Sequence, residues 1–283
     1  MSELILPPLN IRSLLRQYGL HPSKSLGQNF LIDTPSLQNI VNLAEIQPTD
    51  NVLEIGPGLG NLTRYLALKA HSVTAVELDR KLFPALKDVL DSYKNIRLLQ
   101  GDILHLDLGE LMGGFEYIVV ANIPYYITSA VLRHLLETVP PPQRVILTVQ
   151  KEVAERICPA MEKMNILALS VQVYGKPSIR EIIPASAFYP QPSVDSAVLR
   201  IEIGAQPILP YDQLDTFFIL IKAGFSQKRK TLRNSLSGGL HITPIESEKL
   251  ITTAGIDPQR RAETLNLKEW GKLCEVLVTG EGK

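Results

Sequence analysis

From Asn51 to Gln150 the chain alternates short apolar runs with stretches of helical periodicity, and that alternation leaves few folds open. Strands separated by helix-length segments pair in parallel, because each crossover must return to the same edge of the sheet. Asn51 to Ile55, Ser72 to Leu78, Ile96 to Leu99, Tyr117 to Ala121 and Val145 to Val149 read as five such strands. Between them, Asn61 to Ala70 puts Leu62, Tyr65, Leu66 and Lys69 on one helical face. Asp79 to about Ser92 and Ser129 to Thr138 read as further helices, the second stopped by Pro140-Pro141-Pro142. Upstream, Asp33 or Thr34 caps a helix with Pro35 in its first turn and Leu37, Ile40, Val41 and Ala44 turned inward. Downstream, Ser178 to Ile183 and Ala197 to Ile203 read as closing strands. Gly204 to Pro210 is a boundary, and Tyr211 to Leu277 forms short helices separated by Gly238-Gly239, Pro244 and Asp257-Pro258.

Composition narrows the class. A chain of 283 residues with 45% hydrophobic and 20% charged residues is an ordinary globular protein, long enough for one large domain and a small one. Its formal net charge is zero, so any nucleic-acid site is a local patch. Cys158 and Cys274 are too few for a disulfide framework, and the five histidines show no ligand spacing, so no metal is expected. No apolar run has the length of a membrane span, and Met1 to Leu20 lacks the pattern of a secretory leader; a cytoplasmic monomer is expected.

The chemistry concentrates at strand ends. Glu54-Ile55-Gly56-Pro57-Gly58-Leu59-Gly60 follows the first strand and opens a helix. A dinucleotide site would place its glycines as G-x-G-x-x-G, with a pyrophosphate on the helix N-terminus. Here the third glycine comes one residue early and Pro57 stiffens the turn, which favours a nucleoside cofactor without phosphates, such as S-adenosylmethionine. Glu77, ending the second strand, can accept both ribose hydroxyls, although a solvated strand-end acid would look the same. Asp102, after Gly101, can accept a hydrogen bond from an adenine amine, although Gly-Asp is also a common turn. Asn122-Ile123-Pro124-Tyr125 ends the fourth strand. The Asn122 side-chain oxygen and the Ile123 carbonyl can receive an exocyclic amine, Pro124 holds that carbonyl rigid, and Tyr125 can stack on the base.

Two further segments are polar or aromatic without an obvious core role. Lys24-Ser25-Leu26-Gly27-Gln28-Asn29-Phe30-Leu31 suggests a loop folded over the cofactor. Phe188-Tyr189-Pro190-Gln191-Pro192 is a rigid aromatic turn, either a second face for the base or a structural loop. The dense basic cluster is Phe225 to Asn234, in which Lys228, Arg229, Lys230 and Arg233 suit phosphate contacts. Arg229 and Arg233 would share a helix face there, although a solvated basic helix is the plainer alternative.

Taken together, from about Lys24 to Leu273, these segments resemble the ribosomal RNA adenine dimethyltransferases that act on the small subunit. Val76-Glu77-Leu78-Asp79, Val149 to Arg156 and Phe188 to Val198 carry the same resemblance. It implies an α/β, Rossmann-like class I methyltransferase fold: a seven-stranded, mostly parallel sheet with helices on both faces, plus a small all-α C-terminal domain. Residues 1–205 would form the methyltransferase domain with its N-terminal cofactor-covering segment, and 206–283 a helical RNA-recognition domain. It implies S-adenosyl-L-methionine contacts at Asn29, Leu31, Gly56, Gly58, Glu77, Asp102 and Asn122, with Asn122, Ile123, Pro124, Tyr125 and Phe188 around the target adenine. The implied reaction puts two methyl groups on each of two adjacent adenines near the 3′ end of 16S rRNA in the 30S particle. The chain departs from the family pattern at Asn165-Ile166, where a Gly-Arg pair often precedes a Leu-Ser-Val-like strand, and at Pro22-Ser23-Lys24-Ser25, commonly more basic. The macrolide-resistance dimethyltransferases of large-subunit rRNA share the Asn-Ile-Pro-Tyr chemistry and are the nearest alternative.

Overall fold

The structure, a computed structural model, describes residues 6–160, 163–204 and 206–280. It divides into two compact units, one formed by residues up to Ala154 with Ser178–Ile203, the other by Glu155–Pro177 with the residues from Gly204 on.

The first unit runs α1 (Ile11–Gln17), β1 (Phe30–Leu31), α2 (Thr34–Ala44), β2 (Asn51–Ile55), α3 (Asn61–Ala67), β3 (Ser72–Glu77), α4 (Phe83–Leu90), β4 (Ile96–Gln100), α5 (Leu108–Leu111), β5 (Tyr117–Asn122), α6 (Thr128–Glu137) and β6 (Arg144–Gln150). After the excursion through α7 (Lys151–Ile157) and α8 (Ile166–Gln172) come β7 (Gly175–Ile183), β8 (Phe188–Tyr189) and β9 (Ser196–Ile203). Seven strands form one sheet in the order β4-β3-β2-β5-β6-β9-β7. The pairs from β4 through to β6 are parallel, and β9 runs antiparallel to β6 with Val145 opposite Ile201. This is the seven-stranded, mostly parallel sheet that the resemblance implied.

The central strands are apolar at consecutive positions because helices cover the sheet and leave no wet face. Val52, Val73, Ile118, Val120, Ile146 and Val198 pack with Leu37, Ile40 and Val41 of α2 and Leu62, Tyr65 and Leu66 of α3. Asp33 caps α2, its carboxylate accepting the Ser36 N–H at 2.9 Å, so the inward set read from the sequence has the expected origin.

The second unit holds α8 and, after Gly204, α9 (Leu214–Phe225), α10 (Leu232–Leu240), α11 (Pro244–Thr253) and α12 (Leu267–Thr279). Three expectations, on Gly238-Gly239, on Arg229 and on where the second unit begins, are corrected here. Gly238-Gly239 does not separate helices but lies inside α10: a Cβ on Gly239 would sit 2.5 Å from the Ala223 Cα, so the glycines let α10 approach α9 closely. Arg229 precedes α10, in the turn after α9, and therefore shares no helix face with Arg233. Asn165 caps α8, accepting the Ala168 N–H at 3.0 Å, so Leu169-Ser170-Val171 is helical. The second unit does not begin at residue 206 alone; it also takes Glu155–Pro177, tied in by the Met164 N–H on the Glu263 carbonyl at 2.9 Å. Ala205, at the expected boundary, and residues 1–5 and 281–283 of the two expected domains lie outside the described residues.

Candidate cofactor and base-binding cleft

A cleft opens at the carboxyl ends of β2, β3, β4 and β5, where open α/β sheets collect ligands. The glycine turn after β2 forms its floor. The Gly56 N–H donates to the Val76 carbonyl at 2.9 Å, and the Gly58 N–H to Glu77 Oε2 at 2.9 Å. Gly58 has φ +61°, and a Cβ there would also lie 3.0 Å from the Phe30 ring, so no other residue fits without displacing the neighbour.

Two carboxyls stand over this floor. Glu77 accepts the Asp79 N–H through Oε1 at 2.8 Å as well as the Gly58 N–H. Burial pushes its pKa above the usual carboxylate range, and those backbone hydrogen bonds oppose the shift. Each oxygen keeps a lone pair for a hydroxyl. Glu54 lies deeper at 1% exposure, with Oε2 finding no hydrogen-bond partner. Burial pushes its carboxyl up to about 8, the nearby Thr63 hydroxyl opposing and the Glu77 charge adding. Sequence reasoning gave Glu54 no role, though a carboxylate inside an apolar strand was the available signal. At the end of β4, Asp102 Oδ1 accepts the Leu104 N–H at 3.0 Å, and Oδ2 lies 3.1 Å from His105 Nδ1.

The N-terminal loop closes the near side. Gln28 donates through Nε2 to Asp79 Oδ2 at 2.9 Å and accepts the Ser23 N–H through Oε1 at 2.8 Å. Asn29 and Leu31 line the cleft, and Asn61 Nδ2 anchors Leu31 by donating to its carbonyl at 2.8 Å. Across the cleft, Asn122 Nδ2 donates to the Asn29 carbonyl at 3.2 Å. A carbonyl only accepts, so this contact fixes the amide orientation and leaves Asn122 Oδ1 as an acceptor. Pro124 follows the buried Ile123 directly, and Tyr125 is held at both ends. Its hydroxyl shares a 2.7 Å hydrogen bond with that of Ser196, and its carbonyl accepts the Thr128 hydroxyl at 3.0 Å. Burial raises the Tyr125 pKa, keeping the phenol neutral.

Asn29, Leu31, Gly56, Gly58, Glu77, Asp102, Asn122, Ile123, Pro124 and Tyr125 all line this one cleft. Phe188 is not among its lining residues. It is 3% exposed and pairs with Leu31 across the β1–β8 ladder, packed in the core with Ala187, Ile183 and Val198. Alternation along β8 turns Tyr189 to the other side, where it packs on the cluster containing Ile11 and Phe30, under the Arg12 guanidinium at 4.7 Å. The helix α1 that supplies Ile11 and Leu15 to that cluster had no expectation attached.

The basic cluster is dispersed. Lys228 and Lys230 line a second cleft, within the second unit, which Lys163 joins from a segment far away in sequence. Arg233 instead pairs with Glu248 at 2.8 Å, and Arg229 stands exposed in the turn. Among the described residues no group of three or more His, Cys, Asp or Glu could hold a metal ion, and no helix is long and apolar enough to cross a membrane.

Comparison with known proteins gives this geometry a context. The model of the ribosomal RNA adenine dimethylase family matches residues 20–278. A small-subunit ribosomal RNA methyltransferase A of Dehalococcoides mccartyi strain CBDB1 is 47% identical over 264 residues, 93% of this chain and 91% of that protein. The protein of the same name from Bacillus pumilus is 40% identical, covering 98% of both chains. Among solved structures, the 23S rRNA methyltransferase ErmE is 28% identical with a TM-score of 0.72, covering 88% of this chain and 100% of that one. A Plasmodium falciparum dimethyladenosine transferase shares the fold at a TM-score of 0.76 and 24% identity, over 89% and 98% of the two chains. With the family pattern spanning all but the ends, and its glycine turn and Asn122-Ile123-Pro124-Tyr125 segment gathered in one cleft, the chain belongs to the ribosomal RNA adenine dimethylase family.

Proposed function

We propose that this chain is a cytoplasmic enzyme that dimethylates the N6 amino groups of two adjacent adenines near the 3′ end of 16S rRNA, within the 30S particle, using S-adenosyl-L-methionine. The observation that carries the reading is the Asn122 amide, whose nitrogen is committed to the Asn29 carbonyl and whose oxygen is therefore available to an amine. The sequence relatives favour the small subunit over the large one.

The cleft suits a cofactor without phosphates: no Lys, Arg or His is among its lining residues, so no side-chain cation there would meet a diphosphate. Glu77 would hold the ribose hydroxyls and Asp102 the adenine amine. Asn29, Leu31, Gly56 and Gly58 would complete the enclosure, the glycines by bare backbone. Bound there, S-adenosylmethionine supplies an electrophilic methyl group.

The chain's own residues then act on the nucleophile. An adenine N6 lone pair is delocalised into the ring and attacks poorly. Hydrogen bonds from the amine to Asn122 Oδ1 and the Ile123 carbonyl favour a tetrahedral nitrogen and return the lone pair to it. Pro124 fixes the direction of that carbonyl, and the Tyr125 ring holds the base in line, a gain from positioning. The amine proton becomes acidic once nitrogen is alkylated, so it needs no base of shifted pKa. Lys228, Arg229, Lys230 and Arg233 would contact rRNA phosphates.

Incubating the enzyme with 30S particles and labelled cofactor, then digesting the RNA for mass spectrometry, tests the proposal. Two adjacent dimethyladenosines in 16S rRNA are expected. Methyl incorporation confined to free 23S rRNA would overturn it.

A further inference from the structure

Glu54 lines the cofactor cleft and has no part in the proposed chemistry. It sits buried on β2, in register with Ala75 of β3, and its Oε2 finds no hydrogen-bond partner. A buried acceptor left unmade costs free energy and calls for a partner from outside the chain. Its surroundings say which kind. Glu77 of β3 and Asp102 after β4 line the cleft as well, and none of the lining residues is Lys, Arg or His. From α3 the Thr63 hydroxyl lies near Glu54, while the Arg64 guanidinium of the same helix is turned to the Pro7 carbonyl at 2.7 Å. β5 and α2 bring Asn122 and Leu37 to the cleft, neither of which titrates. Three carboxyls with no side-chain cation attract positive charge. At the amino-acid end of S-adenosylmethionine an ammonium offers three N–H donors; the sulfonium offers none.

We infer that Glu54 receives the ammonium group of the cofactor's amino-acid end, Oε2 accepting from it. The inference rests on the proposed use of S-adenosylmethionine. In the protein alone, burial pushes the Glu54 carboxyl up to about 8, so at neutral pH it holds its proton. An ammonium within hydrogen-bond reach favours the carboxylate instead. Binding therefore moves one proton from Glu54 to solvent and leaves a carboxylate–ammonium pair where a neutral acid stood. S-adenosylhomocysteine forms the same pair, because it keeps the ammonium and lacks only the methyl group and its charge. 5′-Methylthioadenosine keeps the adenosine and has no amino-acid end, so it engages Glu77 and Asp102 without Glu54.

Isothermal titration of the full-length protein, at about pH 6.5 where the cofactor's amine is itself charged, tests this in buffers of different ionisation enthalpy. The slope of binding enthalpy against buffer enthalpy counts the protons released. Wild type should release about one proton with S-adenosylmethionine and with S-adenosylhomocysteine, over and above any released with 5′-methylthioadenosine. That last ligand subtracts whatever proton Glu77 exchanges with the ribose. Glu54→Gln copies the neutral acid and should lose the extra proton with both ligands. It should bind both about tenfold or more weakly, the scale of one hydrogen bond to a charged group, and bind 5′-methylthioadenosine as wild type does. No extra proton in wild type, the same proton count in Glu54→Gln, or release with S-adenosylmethionine but not with S-adenosylhomocysteine would each overturn the inference. The last result would mark the sulfonium as the partner. Failure of the proposed function reads differently: a wild-type enzyme that binds the cofactor with the proton released, yet leaves 16S rRNA unmodified, refutes the substrate and leaves the role of Glu54 intact.

Discussion

Glu54→Gln offers a quantitative check on the cleft. Glu54 is buried on β2 with Oε2 unpartnered, and its carboxyl is pushed up to about 8 from 4.5, chiefly by burial. An acid with a raised folded pKa contributes stability fully below its unfolded value and loses it as pH rises through the folded value. Between pH 5 and pH 8 the unfolded chain has released this proton and the folded chain keeps it. Stability should therefore fall by about 1.4 kcal/mol per pH unit, a total of about 4 kcal/mol. Glutamine copies the neutral acid in shape and does not titrate. The comparison is with the variant because Glu77, also raised by burial, contributes to both curves. Urea denaturation at half-unit intervals should find the two proteins within about 1 kcal/mol at pH 5. The variant should then gain steadily up to pH 8, with no further divergence above it. Parallel curves would show that Glu54 is ionised in the fold and refute the reasoning.

Other expectations test separate parts of the structure. Gly58→Ala should lower the melting temperature, since φ +61° alone costs about 1–2 kcal/mol and the Phe30 ring must also move; an unchanged melting temperature contradicts the close approach. Tyr125→Phe keeps the ring and should keep transfer within about tenfold of wild type, while Tyr125→Ala loses about 1–3 kcal/mol of stacking and drops further; equal rates for both variants in a labelled-methyl assay would remove the ring from the account. Gly239→Ala should destabilise the second unit by about 1–3 kcal/mol through contact with Ala223, read by denaturation, and a neutral result would contradict the tight α9–α10 packing.

How much of this was legible in the sequence depends on the range of the interactions. The strands Asn51–Ile55 and Tyr117–Asn122 announce themselves because burial on both faces makes consecutive residues apolar, a local signal. That Glu77, Asp102 and Asn122 line one cleft followed, since a strand end fixes where its last side chains open. The burial of Phe188 was not legible because the β1–β8 ladder, two residues on each side, leaves no periodicity to read and decides which way the ring turns. Gly238 and Gly239 looked like a break, and only the partner helix reveals them as a close-packing surface. Lys163 was invisible for the same reason: nothing local connects it to Lys228 and Lys230.

The central claim is that the Asn122 side-chain oxygen receives the adenine amine. Labelled-methyl transfer to 30S particles by Asn122→Ala, with particle binding measured alongside, tests it most directly. The account predicts a rate reduced by about a hundredfold or more, the scale of a lost positioning contact, with binding to the particle retained. Transfer within about tenfold of wild type would contradict it.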